Sequence, residues 1–85
     1  MNVRTHLIAG VCIGDTHQGI VVEVQGNGYY AAVRGDDGNK RFVNAAYTTF
    51  YPNNQPLYYG ERVMYNLIPS GYASAGKVAC IAPAE

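Results

Sequence analysis

The sequence predicts a single all-β domain: a five-stranded barrel preceded by an extra N-terminal strand or arm. Three observations predict it. Short runs of β-branched and aromatic residues recur along the chain; Asn-Gly, Asp-Gly and Pro-Ser-Gly steps punctuate them; and no helical periodicity develops between them. At 85 residues the chain has surface enough to bury one core, so a second domain is excluded.

Residues 1–18 read as the arm and residues 19–85 as the barrel. Val3 to Ile13 forms an apolar run ended by Gly14-Asp15. It lacks a small-residue cleavage pattern and is read as part of the fold, which makes the expected location cytoplasmic. The first barrel strand covers Gly19–Gln25, where Ile20, Val22 and Val24 alternate with Glu23 and Gln25. Gly26-Asn27-Gly28 supplies a hairpin turn, because both residues of an Asn-Gly step tolerate positive φ. A second strand runs from Tyr29 to Arg34 and ends at the turn Gly35–Asn39. The third covers Lys40 to Ala46, completing an antiparallel meander.

Ala45 to Gly60 is different: it holds two prolines, two asparagines and five aromatic rings, which argues for a long connection. Tyr47, Phe50 and Tyr51 are expected to pack over a barrel end or to stand open for binding. Tyr58 and Tyr59 are consecutive, so one is expected outside. The fourth strand, Glu61–Ile68, alternates Val63, Tyr65 and Leu67, the expected core side, with Arg62, Met64 and Asn66. After Pro69-Ser70-Gly71 a fifth strand runs from about Ala75 to Ile81. A meander, a long connection and two more strands is the order of a Greek-key OB-type barrel; an SH3-like barrel is the architectural rival.

Six basic residues balance six acidic ones. A neutral chain has no global attraction for phosphate, so nucleic-acid binding would need a local patch and stacking. No run of about 18 apolar residues is present, so no membrane helix is expected. Cys12 and Cys80 each lie in an apolar run and are expected as reduced, buried thiols, with a disulfide as the alternative. His6 and His17 are not at metal-ligand spacing. No nucleophile has a base at suggestive spacing, so the chain is not expected to be an enzyme or to need a cofactor.

Gly19 to Gly38 (GIVVEVQGNGYYAAVRGDDG) and Arg41-Phe42-Val43-Asn44 are similar to the opening two strands and the Val-Phe-Val-His motif of the bacterial cold-shock domain. Leu57-Tyr58-Tyr59-Gly60-Glu61-Arg62-Val63-Met64-Tyr65 and Ala75-Gly76-Lys77-Val78 resemble its later motifs, in the same order. The resemblance covers about residues 19 to 82. It implies a five-stranded barrel whose second and third strands carry an aromatic platform for single-stranded RNA or DNA.

That platform is thinned in this chain. Val22, Glu23 and Val24 replace a basic-Trp-Phe stretch, and Gly28 replaces a Lys. Tyr30 retains the first exposed ring, Ala32 loses the second, and Tyr29 stands where the family has Gly. Phe42 is retained, while Asn44 replaces a His and Ala45 a ring. The function expected is weak single-stranded nucleic-acid binding, with Tyr30 and Phe42 stacking bases, Tyr29 and Tyr47 in support, and Arg34, Lys40 and Arg41 on phosphates. The alternative is a protein-interaction or self-association module, because a tyrosine-rich surface poor in charge suits a protein partner or homodimer.

Overall fold

The computed structural model describes residues 16–68 and 76–84. Residues 1–15 of the expected arm lie outside the described residues, and its His17 and Gln18 belong to the first barrel strand. The elements are β1 (His17–Gln25), β2 (Tyr30–Gly35), β3 (Lys40–Asn44), β4 (Thr49–Phe50), β5 (Arg62–Leu67) and β6 (Val78–Pro83). They form one sheet in the order β3-β2-β1-β5-β6-β4. β3, β2, β1, β5 and β6 pair antiparallel in succession, and β4 adds to β6 in parallel. The far ends of this order also approach each other, through a parallel bridge between Phe42 and Lys77 and a bond from Phe42 N to Gly76 O of 2.5 Å.

Both meander turns form where the sequence places them. Between β1 and β2 the chain makes a three-residue 3₁₀ turn, with Gly26, Asn27 and Gly28 at φ 57°, 59° and 93°. All three lie in the left-handed region, which glycine and asparagine reach at least cost. Between β2 and β3, Asp37 accepts from the Asn39 backbone N–H at 2.9 Å and Gly38 takes φ 87°.

The main core gathers Val21, Val33, Val43, Phe50, Leu57, Val63, Tyr65, Val78 and Ile81. Tyr65 is wholly buried, as its alternation with Val63 predicts, and burial pushes its phenol above the ordinary pKa, with Arg41 opposing. A smaller cluster of Met64, Cys80 and Ala82 packs with Tyr51 and Ala79.

Four expectations change. In β1 the inward residues are Val21 and Val24, while Ile20 is 41% exposed. A β-bulge between Val21 and Glu23 inserts Val22 and shifts the pleat by one residue. In β5 Met64 and Asn66 are as buried as Val63 and Tyr65, because both faces of this strand are covered. The long connection contains the short strand β4, which carries Phe50 into the core; Tyr58 and Tyr59 follow it outside any strand, so pleat alternation does not apply and both are exposed. Cys80 is disulfide-bonded and not a free thiol; Cys12, the chain's other cysteine, lies outside the described residues.

Candidate binding face

Strand register builds this site. Directly opposed residues of an antiparallel pair point to the same side of the sheet. The outer side of the meander therefore carries three rows, each crossing β1, β2 and β3: Gln25–Tyr30–Asn44, Glu23–Ala32–Phe42 and Ile20–Arg34–Lys40. The opposite side carries Val24, Ala31 and Val43, then Val21, Val33 and Arg41, toward the core. Strict alternation in β2 and β3 delivers Tyr30 and Phe42 to one surface, where they are 47% and 50% exposed. They are diagonal neighbours, a relation that places Cα atoms about 7–8 Å apart in a sheet.

Ala32 stands between them and is buried despite facing outward. Its short side chain leaves a shallow depression of about 260 Å³, lined among others by Glu23, Gln25, Tyr30, Phe42, Asn44 and Tyr47. Tyr47 reaches this surface from the turn after β3. Its hydroxyl lies 3.5 Å from the Phe42 carbonyl, and burial pushes its phenol pKa up. Lys77 closes the edge, with Nζ 5.6 Å from the centre of the Tyr47 ring.

The charges sort themselves by pairing. Arg41 binds Asp37 at 3.0 Å on the opposite side of the sheet, and Arg62, which extends the Ile20 row onto β5, binds Asp36 at 2.5 Å. Lys40 meets Glu23 at 3.1 Å, with its ammonium 5.9 Å from the centre of the Phe42 ring. This pair is solvated, so its net worth is about 0.2–1 kcal/mol. Arg34 and Lys77 have no ion pair among the described residues, and both border the ring-bearing surface.

Of the residues singled out from sequence, the structure brings together Tyr30, Phe42, Tyr47, Lys40 and Arg34. It does not bring Tyr29 or Arg41. Tyr29 turns the other way, packs edge-on against Phe50 at 5.2 Å and donates its hydroxyl to the Asn54 carbonyl at 2.8 Å. Arg41 is 8% exposed and faces inward, held by the Asp37 carboxylate. Sequence reasoning missed Lys77, whose place depends on a parallel bridge between segments far apart in the chain. It also missed Gln25 and Asn44 as lining groups; their alternation with Val24 and Val43 is the signal that finds them.

No family model matches the chain, and no curated protein matches it. Among solved structures, it is similar to one described as the crystal structure of Ag(I)CusF, with a TM-score of 0.57 and 13% identity. The match covers 82% of this chain and 96% of that one. CusF has an OB-like β-barrel fold. At this identity the likeness shows the fold alone: a mostly-β chain of OB-like architecture. Silver belongs to the description of that protein. Among the described residues here, no group of three or more His, Cys, Asp or Glu side chains converges as a metal site. Nor is any described helix long and apolar enough to cross a membrane.

Proposed function

We propose that this chain is a Greek-key OB-type barrel, a divergent relative of the cold-shock domain, that binds single-stranded nucleic acid weakly by stacking. In this reading the barrel strands are β1, β2, β3, β5 and β6, and the approach of Phe42 to Lys77 at one isolated bridge supports it. One observation carries the functional reading. Tyr30 and Phe42 are half-exposed on the same outer surface, and the two described cations without an ion pair, Arg34 and Lys77, border that surface.

Stacking needs an accessible ring, and phosphate contacts need cations not already neutralised. With few of each, binding is of the non-specific class, with a dissociation constant of about 10⁻⁴ to 10⁻⁶ M. A second reading, a protein-interaction module, is favoured by Tyr58 and Tyr59. They are 66% and 75% exposed and stand apart from the lining of the depression.

Titration with oligo-dT, followed by tyrosine fluorescence at low and moderate salt, tests the proposal. Salt-sensitive quenching is the expected result. No binding at low salt overturns it, and a defined dimer by light scattering in that case supports the second reading.

A further inference from the structure

The stacking rings and the free cations carry no base information, since every base has a π-face and every nucleotide a phosphate. Any selectivity must come from polar groups on the surface between the rings. Besides the hydroxyls of Tyr30 and Tyr47, which can donate or accept and so favour no base edge, three line the depression: Glu23, Gln25 and Asn44. Gln25 is an amide and can donate or accept, so it favours no base edge. Asn44 has its carbonyl oxygen engaged by the Ala46 N–H at 2.8 Å. Glu23, ionised, can only accept.

Glu23 is also the best placed of the three. It lies directly opposite Ala32, in the same row as Phe42 and diagonal to Tyr30. A base lying on either ring carries its edge over Ala32 and toward the Glu23 carboxylate. One carboxylate oxygen is held by Lys40 at 3.1 Å, and the second has no partner among the described residues. Lys40 thus offsets the carboxylate's repulsion of phosphate, and Glu23 keeps an acceptor oxygen at the lining of the depression.

We infer that Glu23 makes this surface select bases bearing an exocyclic amine, cytosine over uracil in the pyrimidine case. The inference rests on the stacking reading above. Cytosine offers its N4 amine, the donor that glutamate and aspartate accept from in base recognition. Uracil offers an oxygen at the same position, and its N3–H is flanked by two carbonyl oxygens that repel a carboxylate. The two rings are otherwise alike in size, so they isolate this one group.

The test compares (dC)₇ with (dU)₇ at pH 7.5 and equal salt, by tyrosine fluorescence, for the wild-type chain and Glu23→Gln. The wild type is expected to bind (dC)₇ roughly three- to tenfold more tightly, the discrimination of a single good acceptor. In Glu23→Gln the preference collapses toward one, because an amide serves both edges. The same change frees Lys40, so binding of both oligonucleotides becomes steeper in salt by about one phosphate contact. Equal wild-type affinity for the two, or a cytosine preference that survives in Glu23→Gln, overturns the inference and leaves stacking intact. Failure of the wild type to bind either oligonucleotide overturns the stacking reading, and the inference with it.

Discussion

Replacing the two outer rings one at a time, and then together, tests the geometry most directly. Tyr30 and Phe42 are 47% and 50% exposed, so about half of each ring is open to a base. Stacking on an aromatic ring contributes about 1–3 kcal/mol per base, and half-open rings belong at the lower end, about 1–1.5 kcal/mol. Since about 1.4 kcal/mol is tenfold in affinity, Tyr30→Ala and Phe42→Ala should each weaken oligo-dT binding roughly five- to twelvefold. The rings stand in different rows. If each holds its own base the losses multiply; if they share one base, the double variant loses little beyond the worse single. Stability should survive, because a cross-strand pair contributes about 0.2–1 kcal/mol against a total of about 5–15 kcal/mol. Anisotropy of a labelled oligonucleotide measures binding without relying on the tyrosine signal, and thermal melting checks the fold. Tyr59→Ala, 75% exposed and outside the lining of the depression, is the control expected to bind as wild type. Affinities within twofold of wild type for both ring variants, with melting unchanged, would refute the reasoning.

The remaining predictions concern charge and covalent structure. With Arg34 and Lys77 as the cations without an ion pair among the described residues, log affinity should fall with log salt at a slope of about −1.4, two contacts at about 0.7 each for single strands. Arg34→Ala or Lys77→Ala should each halve that slope, while Arg41→Ala should leave it alone if the chain stays folded; an unchanged slope in both of the first two removes their proposed role. Asp37 is held below its ordinary value of 3.8 by the Asn39 backbone bond first, then by the Asn39 side chain and Arg41. A depressed carboxylate contributes stability above pH 3.8 that is lost as pH falls through the folded value. Acid melts should therefore be flatter below pH 4 in Asp37→Asn, and identical profiles would discount that network. Reducing the Cys80 disulfide should lower unfolding free energy by about 2–5 kcal/mol, read from denaturant curves with and without dithiothreitol; coincident curves would contradict it.

What the sequence makes legible depends on whether pattern and physics give one answer. Tyr30–Arg34 and Lys40–Asn44 alternate cleanly, so the shared face of Tyr30 and Phe42 follows from pleat parity. Ile20-Val21-Val22 is apolar at both parities. Nothing in that run selects an inner face, and the bulge that places Val21 inside is invisible to periodicity. Tyr29 and Tyr30 are chemically one residue type; only the turn geometry decides that the first joins Phe50 and the second faces out. Arg41 breaks the rule that charge points outward, because exposed Asp37 in the preceding turn pairs with its guanidinium at 3.0 Å. Cys80 in an apolar strand fits a thiol and a disulfide equally well, so periodicity does not separate them.

Net charge misleads in the same way. A total of zero excludes long-range attraction to phosphate, yet contact at a surface depends on which charges are already spent. Asp36 and Asp37, in the turn after β2, are spent on Arg62 and Arg41, and Glu23 is spent on Lys40 within the outer rows. Neutrality of the whole therefore coexists with two unpaired cations beside three aromatic rings, Tyr30, Phe42 and Tyr47. The pairing follows from register: β2 and β3 put Arg34 opposite Lys40, and the ammonium of Lys40 meets Glu23 on the far strand of the meander. A one-residue slip in either strand pairing would send these charges to the core side. The bulge and the two turns that fix register are thus as much a part of the candidate site as the rings themselves.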